Sequence, residues 1–208
     1  MMTEYSLPEP GSDGLSEIER TIGARESRRS FADDPVGIEA VATLLWSVQG
    51  LTHERDGVPM RASPSAGATF PMVAFLSVAP GGCEELEAGL YRYVPDEHRL
   101  DPAIEESIHV ELTAAALDQA VVRGAPVTIA LAADYDRTTR QYPDHGERYV
   151  HMEAGHAAQN ALLVCEAREL NACPVGAFDD DELAAVLDLP ADLDPLYLVP
   201  FGERPGGE

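Results

Sequence analysis

Lysine is absent. All 14 cationic side chains among the 208 residues are arginine, set against 37 acids, for a formal charge of −23. A surface this acidic repels polyanions, which argues against nucleic acid and anionic membranes as partners. Self-repulsion of that size is tolerated where salt shortens the Debye length to about 3 Å, near 1 M. The composition therefore reads as that of a salt-accumulating halophile, a haloarchaeon. Cysteine is scarce: Cys83, Cys165 and Cys173 form no C-x-x-C pair and are odd in number. That excludes a disulfide framework and a zinc-thiolate site, and it favours a reducing cytoplasm. No apolar run approaches the 18 or more residues of a membrane span. The opening M-M-T-E-Y-S-L-P-E-P-G-S-D-G has no cationic stretch leading into an apolar one, so no signal peptide is expected there. Residues 1–14 read as a flexible arm and 15–208 as one domain. Neither Walker A nor G-x-G-x-x-G occurs, which removes support for a P-loop or a dinucleotide fold.

What is present is a mixture of helical and strand patterns. Leu15, Ile18 and Ile22 fall at helical spacing behind Ser16 as a cap, predicting a short helix over 15–25. Ile38, Val41, Leu44, Leu45 and Val48 make one apolar stripe over 37–49. Strands are expected at 73–78, at 89–94 and at 126–133, the last a continuous apolar run suited to a buried central strand. Residues 104–122 have a helical pattern. The longest helical candidate is 149–170, whose alanines (154, 157, 158 and 161) would let another helix come close; it is apolar over much of its circumference, suiting a core helix or a subunit interface. A turn and short strand around 173–178, a helix near 180–187 and a strand over 196–201 complete an α+β domain without repeats.

Two stretches carry chemistry. In A-R-E-S-R-R-S-F (24–31), Arg25, Arg28 and Arg29 fall within five positions of a chain poor in cations. Arg25, Ser27 and Arg29 alternate, so in extended chain their side chains share one face and present two guanidinium groups and a hydroxyl to an anion. A solvated helix end is the competing reading of such a cluster. In R-A-S-P-S-A-G-A-T-F-P (61–71), small residues closed by prolines form a loop whose backbone can approach a ligand. A plain turn is the alternative. Together they suit a mononucleotide, phosphate first and flat ring second. H-M-E-A-G-H (151–156) is not H-E-x-x-H, and its spacing turns the second histidine about 140° from the first on a helix, so no metal site is expected. Glu153 and His156 read as core-helix polar groups or cofactor-side contacts. The other histidines form no constellation.

These stretches resemble the flavin-binding motifs of the nitroreductase superfamily, in its SagB-type dehydrogenase branch. The resemblance runs over about residues 20–204. It also takes in L-L-W-S-V-Q-G-L-T (44–52), G-L-Y-R-Y-V-P-D-E-H-R-L (89–100), R-Y-V-H-M-E-A-G-H-A-A-Q-N (148–160), P-V-G-A-F-D-D (174–180) and P-L-Y-L-V-P-F-G (195–202). It implies a nitroreductase-like fold, with a mainly antiparallel central sheet flanked by helices, and a homodimer with FMN at the subunit interface. Arg25, Ser27, Arg29 and, near the end of the chain, Arg204 would hold the FMN phosphate. Pro64, Ser65, Ala66 and Gly67 would line the isoalloxazine from the partner subunit, and Val175 and Gly176 would lie against its reactive face.

The same resemblance implies hydride transfer between flavin and a small organic substrate, with NADH or NADPH as reductant. Members that oxidise thiazoline or oxazoline rings in modified peptides carry Lys-Tyr ahead of the R-Y motif, where this chain has Gln141-Tyr142. Tyr142 is the candidate catalytic residue, whereas Gln141 lacks the cationic or basic character of lysine. An azoline dehydrogenase and a non-catalytic flavin-binding protein are the alternatives.

Overall fold

The computed structural model describes residues 5–8, 10–11 and 14–206. Residues 5–8 lie outside helix and strand, with Tyr5 and Leu7 exposed; most of the remaining arm expected over 1–14 lies outside the described residues.

Fifteen elements follow in order: α1 (Glu17–Ala24), α2 (Ile38–Gln49), β1 (Leu51–Arg55), β2 (Val58–Arg61), β3 (Met72–Val78), β4 (Gly89–Val94), β5 (Arg99–Ile104), α3 (His109–Ala115), α4 (Ala120–Arg123), β6 (Val127–Ala133), α5 (Tyr135–Thr139), α6 (Gly146–Ala167), β7 (Leu170–Ala172), α7 (Asp180–Val186) and β8 (Asp194–Glu203). Six strands form one sheet in the order β5-β4-β3-β6-β8-β7, each pairing antiparallel. β1 and β2 make a separate hairpin across Asp56 and Gly57, both with positive φ, the backbone that a two-residue D-G turn requires.

β3 and β6 are buried along their whole length, which explains their unbroken apolar sequences: each residue faces one of two cores. On one face Met72, Ala74, Leu76, Ile129, Leu131, Val199 and Phe201 pack with the stripe of α2 and the alanines of α6. On the other Val73, Phe75, Ala130, Ala132 and Leu198 pack with residues of α3, α4 and α7. The α+β architecture and its mainly antiparallel sheet are as expected from sequence.

Several local expectations are revised. The helix foreseen over 104–122 is two short helices, with Ile104 ending strand β5. Leu117 and Asp118 break the helix with φ of 57° and 55°, and Gln119 there donates to the Ala116 and Ala177 carbonyls, tying the break to the chain ahead of α7. The strand foreseen near 173–178 is β7 at 170–172, followed by a single bridge from Val175 to Leu198. α6 is buried along one face through Val150, Ala154, Ala157, Ala158 and Ala161, while Met152, Gly155 and His156 are exposed. It is a core helix on one side and an open face on the other. α1 begins at a full capping box, Ser16 with Glu19, yet buries none of its residues.

A Cβ at Gly82 would lie 2.0 Å from the Pro126 carbonyl oxygen, which itself accepts from the Ala79 N–H at the start of β6. Because backbone must shift, Gly82→Ala is expected to cost about 1–3 kcal/mol, read as a lowered denaturation midpoint at constant high salt. Gly81→Ala tests the other mechanism: no atom crowds it, but its φ of 72° strains any side chain.

Candidate functional site

α1 stops at Arg25, whose extended ψ of 124° turns the chain out of the helix. The following segment runs without helix or strand beside the β7–β8 end of the sheet. Arg28 N–H donates to the Ala172 carbonyl at 3.0 Å, Ala32 N–H to Glu203 at 2.9 Å, and Asn171 Nδ2 to the Ser30 carbonyl at 2.8 Å. These bonds bring Arg25, Ser27 and Arg29 to the sheet end that carries Arg204. Glu166 of α6 sits between the two segments, pairing with Arg28 and, at 3.1 Å, with Arg204. Arg28 is thus the structural ion of the cluster. Arg25 and Arg29 have no carboxylate within ion-pair distance among the described residues, and Arg29 donates to the Ser27 carbonyl at 3.3 Å. The Arg204–Glu166 contact is off the hydrogen-bond axis: Arg204 Nε and Nη2 are both buried with no directed acceptor. Buried guanidinium donors without acceptors are costly unless an anion meets them.

The P-S-A-G loop is a short 3₁₀ turn over Ala66–Ala68 with three left-handed residues, Gly67 (φ 60°), Ala68 (φ 52°) and Phe70 (φ 45°). A phenylalanine held in that region is an outlier that its surroundings must enforce. Ser65 Oγ accepts from the Phe70 N–H at 2.9 Å, and the Arg137 guanidinium donates to the Phe70 carbonyl at 3.1 Å. Thr69 Oγ1 meets Thr138 Oγ1 at 2.8 Å, which ties the loop to α5. The N–H groups of Ser65, Ala66 and Gly67 have no acceptor among the described residues. Gln141 and Tyr142 stand directly over the turn: a Cβ on Gly67 would lie 2.7 Å from the Tyr142 hydroxyl and 2.7 Å from Gln141 Nε2. The candidate catalytic tyrosine and the loop are therefore one unit. Tyr142 also packs edge-on to Tyr149, with centroids 5.2 Å apart.

Val175 exchanges both backbone hydrogen bonds with Leu198, and the next residue, Gly176, opens onto a cleft of about 660 Å³. α6 forms one wall through His151, Ala154 and Gly155, and Pro195, Leu196 and Tyr197 of β8 form another. Tyr135 and His151 share a 2.6 Å hydrogen bond at its edge; burial, with Asp194 adding to it, pushes the tyrosine up to about 12. Among the described residues, no group of three metal-ligating side chains occurs.

Sequence reasoning singled out the two ends of this arrangement and read Glu153 and His156 as core-helix polar groups or cofactor-side contacts; Glu153 is such a buried polar group, His156 is exposed, and Gln49 was missed. Glu153 is 2% exposed and Gln49 fully buried; Glu153 Oε1 and Gln49 Nε2 have no hydrogen-bond partner. Burial raises the Glu153 carboxyl to about 7, against the opposing influence of Ser65, Gln49 and the Arg61 charge. Polar residues inside the apolar faces of two core helices were the available signal.

An acid whose pKa rises on folding holds more protons folded than unfolded between the two values. Stability is therefore highest below about 4.5 and falls as pH rises through about 7. The expected loss is about 3 kcal/mol, measured by denaturation at fixed high salt. Glu153→Gln removes that slope.

Comparison with known proteins identifies the family. The Nitroreductase family profile matches residues 22–203. The protein named "Putative nitroreductase MJ1384" of Methanocaldococcus jannaschii is 36% identical over 187 residues, covering 90% of this chain and 91% of that protein. The "Microcin B17-processing protein McbC" of Escherichia coli is 25% identical over 182 residues, covering 84% of this chain and 65% of that protein. A crystal structure from Ralstonia eutropha, also named as a putative nitroreductase, superposes with a TM-score of 0.76 at 24% identity, over 97% of this chain and 89% of the other. With the family profile covering residues 22–203, the chain belongs to the nitroreductase family.

Proposed function

We propose that the chain is an FMN-dependent oxidoreductase acting on a small organic substrate, with NADH or NADPH as reductant, and that it works as a homodimer. The observation that carries this reading is the Arg204 guanidinium, buried at Nε and Nη2 without a directed acceptor beside Arg25, Ser27 and Arg29. Two arginines with no carboxylate partner, a third with unsatisfied buried donors and a hydroxyl are a donor set for a phosphate dianion. The three free N–H groups of the P-S-A-G turn suit the polar edge of a flat ring.

The spacing supports the same assignment. From Ala172, which anchors Arg28, to Gly176 is about 13 Å of near-extended chain, room for a sugar-alcohol linker between clamp and cleft. The P-S-A-G loop lies elsewhere. Glu153 beneath it and Glu166 at the clamp are about 20 Å apart along α6, at 1.5 Å per residue. The loop and the arginine cluster thus lie at different levels of α6, which suits a dimer in which a second copy brings its own loop, with Gln141 and Tyr142, over the first copy's cleft.

Bound there, FMN supplies the hydride chemistry. The protein's part is to orient and to handle protons. Gly176 brings backbone to the cleft without side-chain obstruction. Tyr142 offers a hydroxyl donor over the loop, and the Gln141 amide can donate and accept hydrogen bonds but cannot serve as a general acid or base at neutral pH.

A second reading is azoline dehydrogenation on a modified peptide. The similarity to the microcin B17-processing protein and the position of Tyr142 over Gly67 favour it; Gln141 in the lysine position weighs against it. Azole formation on a cyclised peptide substrate, assayed directly, decides between the two.

Purified protein in multimolar salt is expected to show flavin absorbance or to take up added FMN; neither occurring overturns the proposal. Arg25→Ala is expected to weaken FMN binding by about 1.5–3 kcal/mol, roughly tenfold to a hundredfold in Kd, measured by titration of flavin fluorescence. Unchanged affinity returns the arginine cluster to a solvated surface.

A further inference from the structure

One pair of side chains at the cleft stands apart from both the arginine cluster and the loop. Tyr135 opens α5 directly after β6, and His151 stands on α6 one turn before Gly155. Their side chains meet between the two helices: Tyr135 Oη and His151 Nε2 are 2.6 Å apart. The rings are edge-on, with 5.6 Å between centroids and 85° between planes. Both residues line the cleft of about 660 Å³ onto which Gly176 opens, a volume suited to a small ligand. The wall beside them is bare, since a Cβ on Gly155 would meet no atom within 4 Å. The two residues differ in depth. Tyr135 is half-buried and His151 is exposed, so the pair joins the cleft to water.

We propose that Tyr135 and His151 form a proton relay from solvent into the cleft, in which Tyr135 is the catalytic residue that gives a proton to a bound hydride acceptor and His151 replaces it. For a nitroarene the balance is simple. One hydride and one proton convert the nitro group to a nitroso group and water, breaking one N–O bond, and the two electrons come from the reduced cofactor. The proton is this chain's part. In the resting pair His151 Nε2–H donates to Tyr135 Oη, and the tyrosine hydrogen faces the cleft. On transfer the phenol O–H bond breaks toward the acceptor and the Nε2–H bond breaks toward Oη. A water proton bonds to Nδ1, the nitrogen left for solvent when Nε2 is taken. The histidine ends as its other tautomer, the tyrosine ends protonated, and neither changes charge.

The surroundings require a pair here and not a lone acid. A tyrosine acting alone would be left as a tyrosinate. Burial makes that form costly, and Asp194, Glu147 and Asp180 add to the cost, which pushes Tyr135 up to about 12. Asp180 and Asp194 line the same cleft, and among the described residues no arginine does. Tyr135 is thus held protonated and gives up its hydrogen only if another arrives in the same step. A histidine within 2.6 Å, with water on its far nitrogen, supplies it.

The relay deepens the proposed function and rests on it for the flavin and its electrons, but the pairing is read without cofactor. In the cofactor-free protein, nitrogen NMR of neutral His151 should report a tautomer held by the bond to Tyr135, and Tyr135→Phe should shift both ring nitrogens. Ring nitrogens unmoved by Tyr135→Phe overturn the proposal. With FMN bound and reduced by dithionite without oxygen, stopped-flow reoxidation compares two acceptors. Nitrobenzamide needs a hydride and a proton, whereas ferricyanide takes electrons alone. Tyr135→Phe is expected to slow reoxidation by nitrobenzamide about a hundredfold or more, with reoxidation by ferricyanide little altered. His151→Ala should slow the nitrobenzamide step by a similar factor, and the double variant no further, because the two residues act as one unit. A nitrobenzamide step that Tyr135→Phe leaves unchanged, or equal slowing with both acceptors, overturns the proposal. Failure of the wild type to bind FMN, or a bound flavin that reoxidises with ferricyanide alone, counts against the proposed function, and the ring nitrogens still decide the relay.

Discussion

The close approach of α6 to the sheet is the constraint on which the rest of the molecule depends. Ala154, Ala157, Ala158 and Ala161 face the core, and side chains this small let a 22-residue helix lie near both β3 and α2 with little space between. That closeness gives two acidic residues on one helix their importance. Glu166, near its end, is met by Arg28 and Arg204, and so it gathers the segment after α1 and the tail of β8 into one place. Glu153, thirteen residues earlier, lies under the loop at the other end. A longer side chain at any of the alanine positions would lift the helix and separate both carboxylates from their partners together. Packing and the placement of the two carboxylates are one problem, solved by the same four methyl groups.

Much of this was legible before any coordinates. The period of 3.6 in α2, the Ser16 cap of α1 and the unbroken apolar strand β6 each come from side-chain pattern alone, and each element lies where that pattern puts it. The hairpin of β1 and β2 was also written in the sequence, as R-D-G-V, a strong short turn signal. It passes unnoticed because the strands beside it, L-T-H-E-R and V-P-M-R, are largely exposed and show no apolar alternation. The break between α3 and α4 was not legible. T-A-A-A-L-D-Q-A-V-V-R favours helix throughout, and the interruption depends on Gln119 reaching the Ala177 carbonyl 58 residues away. A contact of that range overrides local propensity and leaves no local trace.

The same division runs through the site. Arg25, Ser27 and Arg29 were visible as an excess of cations, and the P-S-A-G loop as a run of small residues. Their relation was not visible. Nothing in the spacing of residues 28, 166 and 204 says that two arginines share one glutamate, nor that Gln141 and Tyr142 stand over Gly67. Glu153 was noticed as a polar residue within a helix, but its depth depends on what α2 and β2 place around it. Side-chain chemistry is local and can be read in order; orphaned donors and acceptors are properties of the assembled fold.

The charge of the chain sharpens the meaning of the arginine cluster. With 37 acids against 14 arginines, an arginine at the surface has many carboxylates to choose from, and exposed pairs such as Arg99 with Glu97 and Arg140 with Asp136 form locally. Such pairs contribute little each, and near molar salt they contribute less. Around Glu166 the chain has done something different. Arg28 takes up one oxygen of Glu166 and Arg204 lies off-axis at the other, so the acid nearest the cluster is already occupied and cannot quench Arg25 or Arg29. Exposed Glu26 also pairs with Arg28, at 3.1 Å, so the positive charge left over at this place in a strongly negative molecule is that of Arg25 and Arg29.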